Sequence, residues 1–162
     1  MGDAYSSIIG RFLGGIVGIE RGSGDRPAGF RTHILVCAGA ALFMLVSMYG
    51  YDDYPMHGEE FPRNRDSSRI AAQVVSGIGF LGAGTIMHEG VTVRGLTTAA
   101  SLWMISAIGL AAGAGMYVLS IGSTAVMMVT LVTFHSWENV LPAAVEMPAA
   151  LFGLLPKMNP VL

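Results

Sequence analysis

The side chains able to do chemistry in this chain are few and far apart. Of its eleven carboxylates, the candidate metal ligands fall in four places: Glu20, Asp66, Glu89, and a cluster of Asp52, Asp53, Glu59 and Glu60. The cofactor or cargo such oxygens could hold is Mg2+, which takes several oxygen ligands in octahedral order and keeps some of its waters. Glu20 and Asp66 are the candidate ligands, and the cluster is dense enough to attract divalent cations or simply to form a solvated acidic loop. Asp66 has a second use, because Ser67 and Ser68 follow it and an apolar run begins just beyond. There it would cap a helix, with Arg69 three residues on as a charge partner. His33, His57, His88 and His135 are scattered without the H-E-x-x-H spacing of a zinc site. No Gly-x-Ser-x-Gly nucleophile motif occurs, and Ser76 lies between Val75 and Gly77, so no enzyme is expected. The glycine-rich block Gly77–Gly84 lacks the Lys-Ser/Thr ending of a phosphate loop. Cys37 is the single cysteine, which excludes an internal disulfide.

The elements carrying these residues are built for lipid. Hydrophobic residues make up 52% of the 162 and charged ones 12%, with a positive mean hydropathy. Uncharged apolar runs occupy Ile34–Tyr51 and Ile70–Met87, and no Asp, Glu, Lys or Arg occurs between Arg94 and Glu138. That last stretch holds two spans of about 20 residues each. A shorter candidate, Ala4–Ile19, is interrupted by Arg11, which can snorkel to the interface. Its cations, Arg11 and Arg21, sit inside and after the apolar run rather than before it, so a retained helix is expected, not a signal peptide. The pattern predicts an all-α polytopic membrane protein with helices at roughly 4–20, 31–50, 69–87, 96–114 and 117–135. Residues 1–136 then form the membrane domain, and 137–162, with Trp137, Pro142, Pro148 and Pro156, an interfacial or flexible tail. Eleven methionines in such surroundings read as adaptable packing. Net charge is –2, and nothing resembles a nucleic-acid footprint.

The third helix is unusual. Ala72, Ser76, Gly79 and Ala83 fall on one helical stripe, with Gln73, Gly77, Phe80 and Gly84 beside it and Gly82 close by. In water this glycine content would weaken a helix by roughly 1 kcal/mol per residue. In lipid, small residues let backbones approach closely. These residues therefore read as a packing face: a homodimer seam, or a dock for the transmembrane helix of a partner protein or small transmembrane peptide. Acids buried within the spans would mark a transport path, and almost none occur.

An internal echo links the two halves. Phe12-Leu13-Gly14-Gly15 recurs as Phe80-Leu81-Gly82-Ala83, and Gly29-Phe30-Arg31-Thr32 parallels Gly95-Leu96-Thr97-Thr98. Either glycine-rich spans resemble each other by chance, or helices 1–2 and 3–4 are parallel repeats of one hairpin. In the second case helices 2 and 4 start at the same membrane face, with Thr32 and Thr97 or Thr98 as N-caps. Arg21, Arg26, Arg31 and Arg94 gather there, either as an anion-binding surface or as anchors to lipid phosphates. Arginine placement favours that face as cytoplasmic, with the N-terminus outside and the C-terminus inside.

Five blocks, in order, carry a family resemblance: Gly18-Ile19-Glu20-Arg21, Gly29-Phe30-Arg31-Thr32-His33, Arg65-Asp66-Ser67-Ser68-Arg69, Gly77-Ile78-Gly79-Phe80-Leu81-Gly82-Ala83-Gly84, and Val93-Arg94-Gly95-Leu96-Thr97-Thr98-Ala99-Ala100-Ser101-Leu102-Trp103. The chain resembles the MgtC/SapB family of bacterial membrane proteins from about Phe12 to Val132. The resemblance implies an inner-membrane protein linked to growth in low magnesium and, in pathogens, to survival inside macrophages. It implies a regulatory role, including restraint of the proton-translocating ATP synthase, with magnesium or other cation transport as the older alternative. Its polar motif residues are Glu20, Arg21, Arg31, Thr32, Asp66, Arg69, Gln73, Arg94, Thr97, Thr98 and Trp103. Some virulence-associated members carry Asn where this chain has Thr97 and Cys where it has Met104. Many members continue into a soluble C-terminal domain, which is not expected here.

Overall fold

The computed structural model describes residues 2–22, 26–50, 66, 68–89 and 92–140. Five helices appear: α1 (Gly2–Gly22), α2 (Phe30–Tyr49), α3 (Ser68–Thr85), α4 (Leu96–Gly113) and α5 (Tyr117–Val140). A two-stranded antiparallel hairpin, β1 (Met87–Glu89) and β2 (Thr92–Arg94), joins α3 to α4. The acidic cluster at 52–60 and the tail beyond Val140 lie outside the described residues. The chain divides into two compact units, Met1–Met128 and Val129–Leu162. The first holds α1 to α4, the hairpin and the opening turns of α5; the second begins with the remainder of α5.

The first unit reverses the polarity of a water-soluble core. Among its fully buried or nearly buried side chains are His33, Ser101, Ser106, Ser120 and Thr124, while Phe80 is 84% and Val118 89% exposed. Phe12, Leu35 and Leu42 also face outward. An apolar outside of this extent suits hydrocarbon rather than water. Four buried hydroxyls bond to carbonyls of their own helices: Thr85 to Gly82 O, Ser101 to Thr98 O, Ser106 to Trp103 O and Thr124 to Ser120 O. Lipid offers no water to do this, so helix and side chains must satisfy each other. α2 and α4 are each long and apolar enough to cross a bilayer, and Tyr117–Thr133 is a shorter apolar stretch. The protein is an all-α membrane protein.

Close backbone approach sets the packing. A Cβ on Gly18 would lie 2.8 Å from Phe30 Cα, and one on Gly14 would lie 2.9 Å from Cys37 Cβ. On the other side of α2, a Cβ on Gly109 would collide with Cys37 O, and one on Gly113 would lie 2.5 Å from Ala41 O. Residue numbers fall along α1 as they rise along α2, so those two helices are antiparallel. They rise together along α2 and α4, which are therefore parallel and begin at the same end. α3 meets α4 in the opposite sense, at Gly82 against Ala99, 3.6 Å away, and at Thr85 against Gly95. The result is two hairpins of the same direction, as the echoed motifs suggest.

Helix starts differ from expectation. The N-caps of α2 and α4 are Gly29 and Gly95, without side-chain capping bonds; Thr32, Thr97 and Thr98 lie inside the first turn. Gly95 takes φ 90°, and a Cβ there would strike Thr85 O. Only glycine lets the chain turn this tightly from hairpin to helix. The hairpin segment reads as a short loop in sequence, and α3 ends at Thr85 because Met87 already pairs with Arg94. At the start of α3, Asp66 Oδ1 accepts the Ser68 amide at 2.9 Å and the Ser68 hydroxyl, and Asp66 O accepts the Arg69 amide at 3.3 Å. The bonds from Ser68, with the Arg69 charge nearby, hold the Asp66 carboxyl below its ordinary range.

Two outcomes follow from these contacts. Gly109→Ala should lower stability in detergent by about 1–3 kcal/mol through overpacking, whereas Gly39→Ala, with open space at its Cβ, should cost nothing; thermal unfolding of both variants checks this. Because its folded pKa is depressed, Asp66 stabilises α3 above its unfolded value of about 3.9 and ceases to as pH falls through the folded value. Asp66→Ala should therefore unfold at a lower temperature than the parent at pH ~6, with the gap closing as the pH drops below ~3.9.

Candidate functional site

Two features of the first unit are organised beyond packing. The first is the end where α1 finishes and α2 and α4 begin. Arg21 Nε donates to Glu20 Oε2 at 2.7 Å, and Arg26 donates to Glu20 Oε1 at 3.0 Å and to Glu20 O at 3.2 Å. Arg21 is only 4% exposed, and Glu20 and Arg26 are largely covered. Guanidinium groups thus engage both carboxylate oxygens, the ones a cation would need. Two of the four arginines proposed to face an anion are likewise turned inward onto Glu20. Arg31 and Arg94 are exposed.

Beside this cluster stands His33, fully buried one turn into α2. Its Nδ1 lies 2.9 Å from Gly29 O and its Nε2 3.0 Å from Ser101 Oγ on α4. Ser101 Oγ also lies 2.8 Å from Thr98 O. The bonds run from the N-cap of α2, through the ring, into the first turns of α4. Among the described residues, no buried side-chain nitrogen or oxygen lacks a hydrogen-bond partner. Neither His33 nor Ser101 stands out in sequence, although both lie inside the quoted motif blocks. A lone histidine opening an apolar helix was the available signal.

The second feature is the outer face of α3. Ala72, Ser76, Gly77, Gly79, Ala83 and Gly84 are all exposed, and a Cβ on Gly77, Gly79 or Gly84 would meet nothing within 4 Å. Gly82 alone of the group turns inward, onto Ala99. Gln73 is exposed at the edge of a groove of about 390 Å³ between α2 and α3, lined by Leu35, Gly39, Phe43, Gly77 and Leu81 among others. Gln73 and Ser106 are the polar residues of an otherwise apolar wall, and the Ser106 hydroxyl is bonded to Trp103 O. Trp103 is 52% exposed on α4.

The candidate magnesium ligands do not converge. Glu20 lies where α1 ends, whereas Asp66 precedes α3, whose far end meets the start of α4. An 18-residue helix separates the two ends by roughly 27 Å. Arg69 lies with Asp66. The side chain of Glu89 is outside the description. Among the described residues, no three His, Cys, Asp or Glu side chains come together as a metal site would need.

The sequence pattern of the MgtC family matches residues 8–140. MgtC of Salmonella typhimurium LT2 is 47% identical over 137 residues, 83% of this chain and 54% of that protein. MgtC of Brucella abortus is 42% identical over 143 residues, 88% of this chain and 54% of that protein. YhiD of Escherichia coli K12 is 44% identical over 128 residues, 79% and 58% of the two chains. The chain spans about half the length of the curated relatives it matches. No solved structure matches it. The matched region runs from α1 through α5 and takes in the glycine seams, the Glu20–Arg21–Arg26 cluster and the outer face of α3, and on these grounds the chain belongs to the MgtC family.

Proposed function

We propose that this chain is a regulatory membrane protein of low-magnesium adaptation that works by binding, not by catalysis, with the outer face of α3 as its dock. The observation that carries the reading is the open space at Gly77, Gly79 and Gly84. Glycines elsewhere in the unit differ: Gly14, Gly18, Gly109 and Gly113 each seat a neighbouring backbone, and Gly39 and Gly122 are open but stand singly on their helices, whereas α3 gathers three open glycines. A glycine-rich face that seats nothing weakens its own helix without return unless another helix supplies the contact. The occupant is a transmembrane helix of another membrane protein or a small transmembrane peptide, and a second copy of this chain is the alternative. Gln73, at the rim, offers a hydrogen bond to a polar group on the arriving helix. The reading extends to a bacterial inner membrane, with the N-terminus outside and the end bearing Arg21, Arg26, Arg31 and Arg94 in the cytoplasm.

One relative, YhiD, carries a name that provisionally assigns it to magnesium transport. The separation of Glu20 from Asp66, and the engagement of Glu20 by two arginines, speak against a shared cation path through this chain.

Gly79→Leu and Ala83→Leu should each abolish association with the partner helix, or with a second copy, while leaving insertion intact. Crosslinking or energy transfer in membranes reads this out, and undiminished association in both variants would sink the docking reading. Proteoliposomes of the purified chain should show no Mg2+ flux above empty vesicles. Flux that disappears in Asp66→Asn would replace regulation with transport.

A further inference from the structure

The hydrogen bonds around His33 admit two complete arrangements. Gly29 O can only accept, so Nδ1 always carries a proton. The hydroxyl of Ser101 has one proton and two places to put it. If Ser101 donates to Thr98 O, its oxygen faces Nε2 as an acceptor, Nε2 must carry a proton, and the ring is an imidazolium. If Ser101 donates to Nε2 instead, the ring is the neutral Nδ1–H tautomer, and Thr98 O keeps the helical amide of Leu102 as its donor. The two states differ by one proton and the rotation of one hydroxyl. No buried polar atom loses its partner in either, and neither requires a helix to move.

Few charges face the ring. α1 brings Glu20 and Arg21, and the linker that follows brings Arg26. α4 brings Ser101 and Thr98 and has no ionisable side chain anywhere along its length. The end of α3 nearest α4's start, Ile78–Thr85, has none either. On α2, Arg31 lies at the surface and Cys37 sits buried one turn deeper. On the hairpin, His88 and Arg94 are exposed. Glu20 is thus the negative charge supplied by the packed helices, held in place by its arginines.

We propose that His33 is a proton-binding site that couples the seam between α2 and α4 to the pH at the membrane face where those helices begin. Placement gives the coupling its leverage. His33, Cys37 and Ala41 form one stripe on α2, and the backbone of that stripe seats Gly109 and Gly113. The ring is the head of the stripe and its bond to Ser101 joins α2 to α4. A second proton converts that bond into a charge-assisted one, which is shorter and stronger. Protonation therefore tightens the seam at its polar end.

Nitrogen NMR of the full chain in lipid nanodiscs tests this. The chain carries His57→Gln, His88→Gln and His135→Gln and labelled histidine, so that His33 alone reports. Between about pH 4.5 and 8.5, Nδ1 should stay protonated while Nε2 passes from acceptor to donor in one titration. Ser101→Ala should move the midpoint by about half a unit or more, Ser101→Thr should restore it, and Glu20→Gln should move it lower through loss of the facing negative charge. A ring that keeps one protonation state across the range overturns the proposal. So does a neutral Nε2–H tautomer, or a midpoint indifferent to Ser101→Ala. If Ser101→Ala does not fold, the tautomer and the titration of the parent ring still decide.

Discussion

Backbone meets backbone along both sides of α2. Cys37 is approached by Gly14 from α1 and by Gly109 from α4, and neither glycine leaves room for a methyl group. Lipid tails are as apolar as leucine, so burying side chains against a neighbour yields little association in a membrane. What remains is dispersion between closely fitted surfaces and hydrogen bonds that the bilayer cannot supply. The small residues on α1 and α4 provide the first, and the rest of the unit is arranged around that fit. Cys37 and Ala41 stay small for the same reason, and each is fully buried.

Once the three helices are drawn together, their polar ends have little choice of place. α2 and α4 run in parallel, so their N-termini come side by side with the C-terminal end of α1. Glu20, Arg21 and Arg26 close over that end while His33 reaches across to Ser101. Buried charges of this kind are expensive unless paired and hydrogen-bonded, and here the carboxylate is held from two sides. α3 is joined to the group mainly through α4, at Gly82 and beneath the hairpin turn at Gly95. Its other face is left to the membrane. The same molecule thus holds two kinds of glycine: those already seated against a neighbour, and those that leave their backbone open, three of which gather on α3.

Much of this architecture is legible in the sequence. Apolar runs, charge-free in all but the first, place all five helices within about five residues of where they lie, and the echoed Gly29 and Gly95 mark equivalent helix starts. The glycine block on α3 points to a packing face, and most of it does face outward. Two local features escape. The threonines near the starts of α2 and α4 have the right chemistry for caps, but a glycine takes that position in each case and the helix begins before them. The hairpin is missed because its strands are three residues each, too short for an alternating pattern to separate from a loop.

Hydrophobicity and charge placement are properties of each segment by itself, and so the class of protein, its helices and its family follow from the residues in order. Which glycine seats a neighbour and which stays open depends on helix rotation and on partners distant in sequence. No local pattern separates Gly109 from Gly79. The same holds for His33 and Ser101, 68 residues apart, and for Glu20 and Asp66, which resemble each other as carboxylates at helix ends yet lie at opposite faces. Only packing in three dimensions brings the first pair within a hydrogen bond and keeps the second apart.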